Sequence, residues 1–155
     1  MSGQATPLFS IITVVFNGEK LLPGTAESVF KQTFTNYEYL IVDGASRDGT
    51  MEYVRNLEPK MPNLRWLSER DNGLYDAMNK GLHLAKGEFV LFLNAGDHLH
   101  APDTLEKLAA LVGPETGVLY GETQLVYENR ESAGVMSELS TRNLPQTLSW
   151  KDYLG

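Results

Sequence analysis

The 155 residues carry 13 Lys and Arg against 20 Asp and Glu, a net charge of −7, with 42% of positions hydrophobic. That balance suits one soluble globular domain and disfavours a surface that must neutralise nucleic-acid phosphates. No cysteine is present, which removes disulfides, Cys-based zinc sites and thiol nucleophiles and fits a reducing cytoplasm. Met1 to Pro7 lacks the basic and apolar regions of a leader, and no run reaches the roughly 20 apolar residues of a span, so any membrane contact is expected to be peripheral.

Phe9 to Phe16 (FSIITVVF) has the β-branched and aromatic run of a buried strand, broken at Asn17-Gly18. Leu22, Ala26, Val29 and Phe30 follow at i, i+4, i+7 and i+8, with Pro23 suited to a first turn, so a helix is expected to pack them on the sheet. Tyr37 to Val42 predicts a second strand ending at Asp43. Gly44 to Gly49 then turns the chain into a short helix with Met51, Val54 and Leu57 inward and Asp48 as its N-cap. Pro59 and Pro62 bracket a connector to a third strand, Leu64 to Ser68, which exits through Glu69-Arg70-Asp71-Asn72-Gly73. The clearest helical period follows: Leu74, Ala77, Met78, Gly81, Leu82 and Ala85, stopped by Gly87.

Phe89 to Leu93 reads as a strand buried on both faces, the element around which the rest is organised, and it delivers Asn94-Ala95-Gly96-Asp97 to its tip. Pro102 opens another helix with Leu105, Leu108, Ala109 and Val112 inward, closed by Gly113-Pro114. Val118 to Tyr120 and Gln124 to Tyr127 predict two more strands. Glu128 to Gly155 is polar and weakly periodic, which suggests a fragment or a mobile tail.

Strands alternating with helices at this spacing argue an α/β fold with a mostly parallel sheet and right-handed crossovers. Ligands of such sheets collect outside the carboxyl ends of the strands, and here those ends carry Asn17, Asp43, Glu69 to Asp71, and Asn94 to Asp97. Each is also an ordinary turn residue, but the agreement across the loops points to a shared site. Phosphate cradles of the G-x-x-x-x-G-K-[ST] and G-x-G-x-x-G types are missing. Asp43 to Asp48 fails as a calcium loop because ligand positions fall on Ala45 and Arg47. The three histidines form no H-E-x-x-H, and His83 reads as a surface residue.

Asp97, at the mouth of an apolar strand, is placed to hold Mg²⁺ or Mn²⁺ against a substrate's phosphates, since such ions use one or two protein carboxylates; His98 or Asn94 would add a ligand. Tyr75, Asp76, Asn79 and Lys80 share the helix face opposite the apolar stripe near its N-terminal end, where the dipole favours an anion. The plainer reading there is an Asp76–Lys80 surface pair at i, i+4.

Four ordered blocks, FSIITVVFN, YLIVDGASRDGT, SERDNGLYDAMNKGLHLAKGE and FVLFLNAGD, resemble family 2 glycosyltransferases of the GT-A fold. The likeness is greatest to bacterial enzymes of the colanic acid, O-antigen and capsule type and spans about Phe9 to Tyr127. It implies a nucleotide-sugar-binding domain over 8–127 and the start of an acceptor-side region over 128–155. The activity implied is inverting transfer of a sugar from a UDP- or GDP-sugar to a hydroxyl of a saccharide or lipid-linked saccharide, with Mn²⁺ or Mg²⁺. The implied setting is the cytoplasm or the inner face of the plasma membrane.

Carried onto this sequence, the resemblance assigns Thr13, Val15, Phe16, Asn17 and Glu19 to the nucleotide pocket, and Asp43 to the base. Arg70, Asp71 and Gly73 complete the donor cleft, and Asp76, Asn79 and Lys80 belong to the same donor-binding set. Asn94, Ala95 and Gly96 fall at the D-x-D-type motif with Asp97 as the metal ligand. Asn94 and Gly96 stand where many members have carboxylates, so donor binding is favoured over tight metal binding. No catalytic base is matched; Glu122 and Glu128 lie downstream. Two other readings stay open: a nucleotide-sugar-binding module without turnover, and a flavodoxin-like receiver with Asp43 as phosphoacceptor.

Overall fold

β1 (Phe9–Val15) and β2 (Tyr37–Asp43) are buried along their whole length. They form the middle of a parallel sheet ordered β3-β2-β1-β4, with β3 spanning Leu64–Ser68 and β4 Phe89–Phe92. Register runs from Phe9↔Tyr37 to Val15↔Asp43 across β1 and β2, and Phe9↔Phe89 opens the pairing of β1 with β4. Helices α1 (Leu22–Phe30), α2 (Thr50–Leu57), α3 (Leu74–Leu84) and α4 (Thr104–Ala110) make or follow the crossovers, with a 3-10 turn at Glu58–Lys60. These elements come from a computed structural model that describes residues 6–119, 123–126 and 132–135.

The strand expected to be buried on both faces is instead partly exposed, and among the described residues it is an edge strand of this sheet. Val90 is 39% exposed, and β4 pairs with β1 alone. A continuous apolar run reads the same whether one face or both are covered, and it is β1 and β2 that meet the two-sided description.

One core lies between the sheet and α3, where Ile12, Val14, Leu40 and Val42 meet Ala77, with Met78, Leu84, Ala85 and Phe92 packed around them. A Cβ on Gly81 would come within 2.6 Å of the Ile12 methyl, so the glycine lets α3 lie close on β1. The predicted stripe is rotated by part of a turn: Leu84 takes the inward place, and Leu74 and Leu82 are 52% and 45% exposed. Fully burying a Leu or Ile contributes roughly 1.5–3 kcal/mol, and the fit of the helix onto β1 overrides the simple count of apolar positions.

α1 begins with Pro23 in its first turn and buries Leu22, Ala26 and Val29 as expected, while Phe30 is exposed. α2 buries Met51 and Val54, and Leu57 is half-buried. Its N-cap position is Gly49, not Asp48. Asp48 still serves the helix start, since its Oδ1 accepts the Thr50 N–H at 3.1 Å.

The chain divides into two compact units at Ala110/Leu111. In the second, β5 (Gln124–Val126) pairs antiparallel with β6 (Ser132–Val135), Leu125 opposite Gly134. β6 was not foreseen, because its Ser-Ala-Gly-Val sequence carries no apolar alternation. Val118 and Leu119 form no strand; Tyr120, Tyr127, Glu122 and Glu128 lie outside the described residues. α4 stops at Ala110, short of Gly113-Pro114, and of its predicted stripe only Leu105 is buried.

Candidate functional site at the carboxyl ends of the strands

The strand order fixes where a ligand fits. From β1 the chain moves outward to β2 and β3, then returns to the other side of β1 for β4, so the crevice at the reversal opens between the carboxyl ends of β1 and β4. A flavodoxin-like receiver would put β3 beside β1; here β3 pairs with β2, which removes that reading. Gly18 and Ala95 meet across the reversal, a Cβ on Gly18 lying 3.8 Å from that of Ala95.

The loops leaving β1 and β2 are clasped together. Asn17 donates its N–H to Ser46 Oγ at 2.7 Å and accepts the Arg47 N–H on Oδ1 at 2.9 Å. Gly18 N–H reaches Thr50 Oγ1 at 2.9 Å, Glu19 N–H reaches Asp48 Oδ2 at 3.1 Å, and Glu19 Oε2 accepts the Gly49 N–H at 3.3 Å. Asp48 is held below the usual carboxylate range, first by its hydrogen bond from Thr50. Beside the clasp lies a shallow cavity of about 350 Å³ lined by Asn17, Gly18, Glu19, Lys20, Leu21 and Asp48.

Several predicted pocket residues therefore work from behind the cleft surface. Thr13 is fully buried, and its hydroxyl is used by the Leu93 carbonyl at 2.6 Å and by Tyr39 OH at 3.0 Å. It ties β1 to the end of β4 and does not line the cleft. Val15 is likewise buried, whereas Phe16 is 64% exposed. Asp43 has no exposed surface: its carboxylate accepts the Ser46 N–H, the Ser46 hydroxyl and the Ser68 hydroxyl, the last at 2.6 Å.

At the exit of β3, Asp71 Oδ1 accepts the Gly73 N–H at 2.9 Å. A Cβ on Gly44 would fall 2.5 Å from Asp71 Oδ2, so the carboxylate rests directly on the backbone that follows Asp43. Asp76 Oδ2 accepts the Asn72 N–H at 3.0 Å. Lys80 Nζ donates to the Arg70 carbonyl at 2.8 Å and pairs with Glu69 Oε1 at 2.9 Å, Asp76 being farther at 3.7 Å. The expected Asp76–Lys80 pair is thus the longer of two. Its hydrogen bond with Glu69 raises the Lys80 pKa. Asn79 and Arg70 are exposed, as is His83.

At the exit of β4, Asn94 and Asp97 form one turn, Asp97 N–H bonding to Asn94 O at 2.9 Å. Asn94 Oδ1 is buried without a hydrogen-bond partner, alone in this among the described residues. A buried acceptor left so costs about 1–3 kcal/mol and calls for an explanation. Gly96 N–H is held by Thr25 Oγ1 at 2.9 Å. Asp97 is exposed, and His98 packs on α1, within 2.5 Å of where a Gly24 Cβ would sit.

Backbone in the left-handed region occurs, among the described residues, at Asn17 (φ 50°), Ala45 (63°), Gly73 (109°) and Gly96 (105°). Each strand exit has one. Asn and Gly tolerate this region, but for alanine it costs about 1–2 kcal/mol, and such residues gather where ligands bind. Ala45 was not foreseen, nothing in Asp-Gly-Ala-Ser announcing it. Ser46 was readable, because a Ser three residues after Asp is a common way to close a turn.

The left-handed backbone at each strand exit and the orphaned acceptor after β4 lie at the carboxyl ends of an open parallel α/β sheet, the end at which ligands of such sheets collect. The chain belongs to glycosyl transferase family 2, whose sequence profile matches residues 10–152. A PGL/p-HBAD biosynthesis glycosyltransferase of Mycobacterium bovis is 38% identical over 122 residues, covering 77% of this chain and 48% of that relative. The chain thus spans about half the length of the curated relatives it matches. Among solved structures, S. aureus TarS 1-349 in complex with UDP-GlcNAc is 34% identical at a TM-score of 0.60, over 66% of this chain and 30% of that one. Mannosyltransferase PcManGT from Pyrobaculum calidifontis, in complex with GDP-Man and Mn²⁺, is 29% identical at a TM-score of 0.65, over 72% and 34%. The fold is accordingly that of the GT-A glycosyltransferases.

Proposed function

We propose that this chain is the donor-binding part of a glycosyltransferase that moves a sugar from a UDP- or GDP-sugar to an acceptor hydroxyl, with inversion, in bacterial surface polysaccharide assembly. The observation that carries the reading is Asn94 Oδ1, buried and unpartnered at the switch point. No protein donor satisfies it, a hydroxyl or N–H would, and a nucleoside diphosphate sugar offers both beside a diphosphate. The donors bound in the complexes of TarS and PcManGT are of this class.

Phe16 and Asp71 both border Gly44, with Asp43 behind them shaping the Ser46 turn, and this reading gives that corner to the nucleoside. Arg70 supplies a cation toward the diphosphate. A divalent cation shared with that diphosphate is part of this reading: among the described residues no three carboxylates or histidines cluster, so the protein's share would be the one or two oxygens that Mg²⁺ or Mn²⁺ needs when phosphates and waters fill its shell. Asp97 would hold it, and the ion would neutralise charge on the departing diphosphate. The acceptor oxygen attacks the anomeric carbon in line, forming one C–O bond as the bond to the diphosphate breaks, and its proton passes to a base. No residue of this chain is assigned as that base.

The replacement of carboxylates by Asn94 and Gly96 also supports a second reading, a module that holds the nucleotide sugar without turnover. Calorimetric titration with UDP and GDP, with and without Mn²⁺, tests the donor site. UDP or GDP binding whose Mn²⁺ dependence is lost in Asp97→Asn is the expected result; no binding of either nucleotide contradicts the proposal. Release of free sugar from the bound donor would set the second reading aside.

A further inference from the structure

Lys80 lies on the helix face predicted to bind the donor, yet its surroundings argue otherwise. Two of the three ammonium donors are taken, by the Arg70 carbonyl at 2.8 Å and Glu69 Oε1 at 2.9 Å. Asp76 stands 3.7 Å away, and the side chain is only 21% exposed. A cation already matched by two carboxylates offers a diphosphate little net charge. What Lys80 does hold is backbone. The segment between β3 and α3 is neither strand nor helix, and Glu69 N–H to Asp43 O at 3.0 Å ties its start. Beyond that point Lys80 grips the Arg70 carbonyl and Asp76 grips the Asn72 N–H, one on each side of Asp71. Asp71 in turn rests on Gly44 and closes on the Gly73 N–H.

We propose that Lys80 is a positioning residue: pinned to the Arg70 carbonyl and Glu69, it fixes the backbone that presents Asp71 to the donor's nucleoside, and it does not itself bind the diphosphate. This rests on the donor site proposed above. The two roles differ in what they predict. A diphosphate ligand matters to UDP and not to uridine, and its loss multiplies with that of Asp71. A positioning residue affects uridine and UDP alike, and its loss is absorbed once Asp71 is gone.

The test is a double-mutant cycle on the full chain, with UDP and uridine affinities measured for Lys80→Met, Lys80→Arg, Asp71→Asn and the Lys80→Met/Asp71→Asn pair. The expected result is a loss of about tenfold for both ligands in Lys80→Met, recovered to within about threefold in Lys80→Arg. The double variant should be no more than about twofold weaker than Asp71→Asn. Loss confined to UDP, or multiplicative losses, would overturn the assignment. Residue-resolved amide exchange at Asn72 and Gly73 in the ligand-free chain reads the positioning directly: it should quicken in Lys80→Met and recover in Lys80→Arg. Unchanged exchange would overturn the assignment even if nucleotide binds. Failure of the unaltered chain to bind UDP or GDP, with exchange responding as described, would instead overturn the donor reading.

Discussion

The two ends of the parallel sheet are built from the same strands and solve opposite problems. At the amino end, Ser10, Glu38 and Arg65 sit on neighbouring strands: Ser10 Oγ donates to Glu38 Oε1 at 2.6 Å and Arg65 Nη1 to Glu38 Oε2 at 2.8 Å. The same cluster takes the Lys86 N–H on Glu38 and the Gly87 N–H on Ser10 Oγ, closing the turn between α3 and β4. There the buried charge is matched and the donors are used. At the carboxyl end the backbone is twisted into the left-handed region at each exit, and Asn94 Oδ1 is buried without a partner. Satisfied polar groups hold the fold; strain and an unpaired acceptor are what a ligand would relieve.

The contrast is sharpest in the largest expected effect. Glu38→Ala strands the Ser10 hydroxyl, the Lys86 N–H and the half-exposed Arg65, and should cost about 3 kcal/mol in urea unfolding, with UDP affinity unchanged. Its titration adds a signature. Burial pushes the Glu38 carboxyl up, but the bonds from Ser10, the Lys86 N–H and Arg65 outweigh this and hold it below 4.5. A lowered folded pKa gives stability that is present above the unfolded value and lost as pH falls through the folded one. Stability of the unaltered chain should therefore decline as pH drops below about 4.5, and that component should be absent in Glu38→Gln.

Next in size is Gly44→Ala. Its φ is ordinary, so the backbone accepts alanine, but the new methyl takes the place of the Asp71 carboxylate. UDP affinity should fall about tenfold, while stability moves by less than about 1 kcal/mol because the flexible end of Asp71 can yield. The smallest effect belongs to Ala45→Gly. Removing the Cβ from a residue at φ 63° should stabilise the chain by about 1 kcal/mol, measured by thermal or urea unfolding.

Much of the fold was legible because period and punctuation agree. Leu64 to Ser68 falls where predicted, and Pro23 opens α1. The sheet order was not, since an apolar run such as Phe89 to Leu93 does not say how many neighbours it has. The rim of the site was legible as residue type, Asn17, Asp43, Asp71 and Asn94 to Asp97 standing at strand exits. What each does was not. Thr13 and Lys80 look available in sequence, but their partners, the Leu93 carbonyl and the Arg70 carbonyl, are backbone atoms that sequence pattern cannot see. Ala45 is the extreme case, because a left-handed alanine is imposed by the clasp around it.

The most direct test of the difference between the two ends is urea unfolding with and without UDP and Mn²⁺ in the unaltered chain, Glu38→Ala and Asn94→Leu. At UDP about 100-fold above its Kd, ligand binding adds about 2.7 kcal/mol. That gain should appear in the unaltered chain and in Glu38→Ala, and shrink below about 1 kcal/mol in Asn94→Leu. Without ligand, Asn94→Leu should be as stable as the unaltered chain or up to about 1 kcal/mol more so, having lost an unpaired buried acceptor. A full UDP gain in Asn94→Leu, or a ligand-free loss as large as that of Glu38→Ala, would contradict the account.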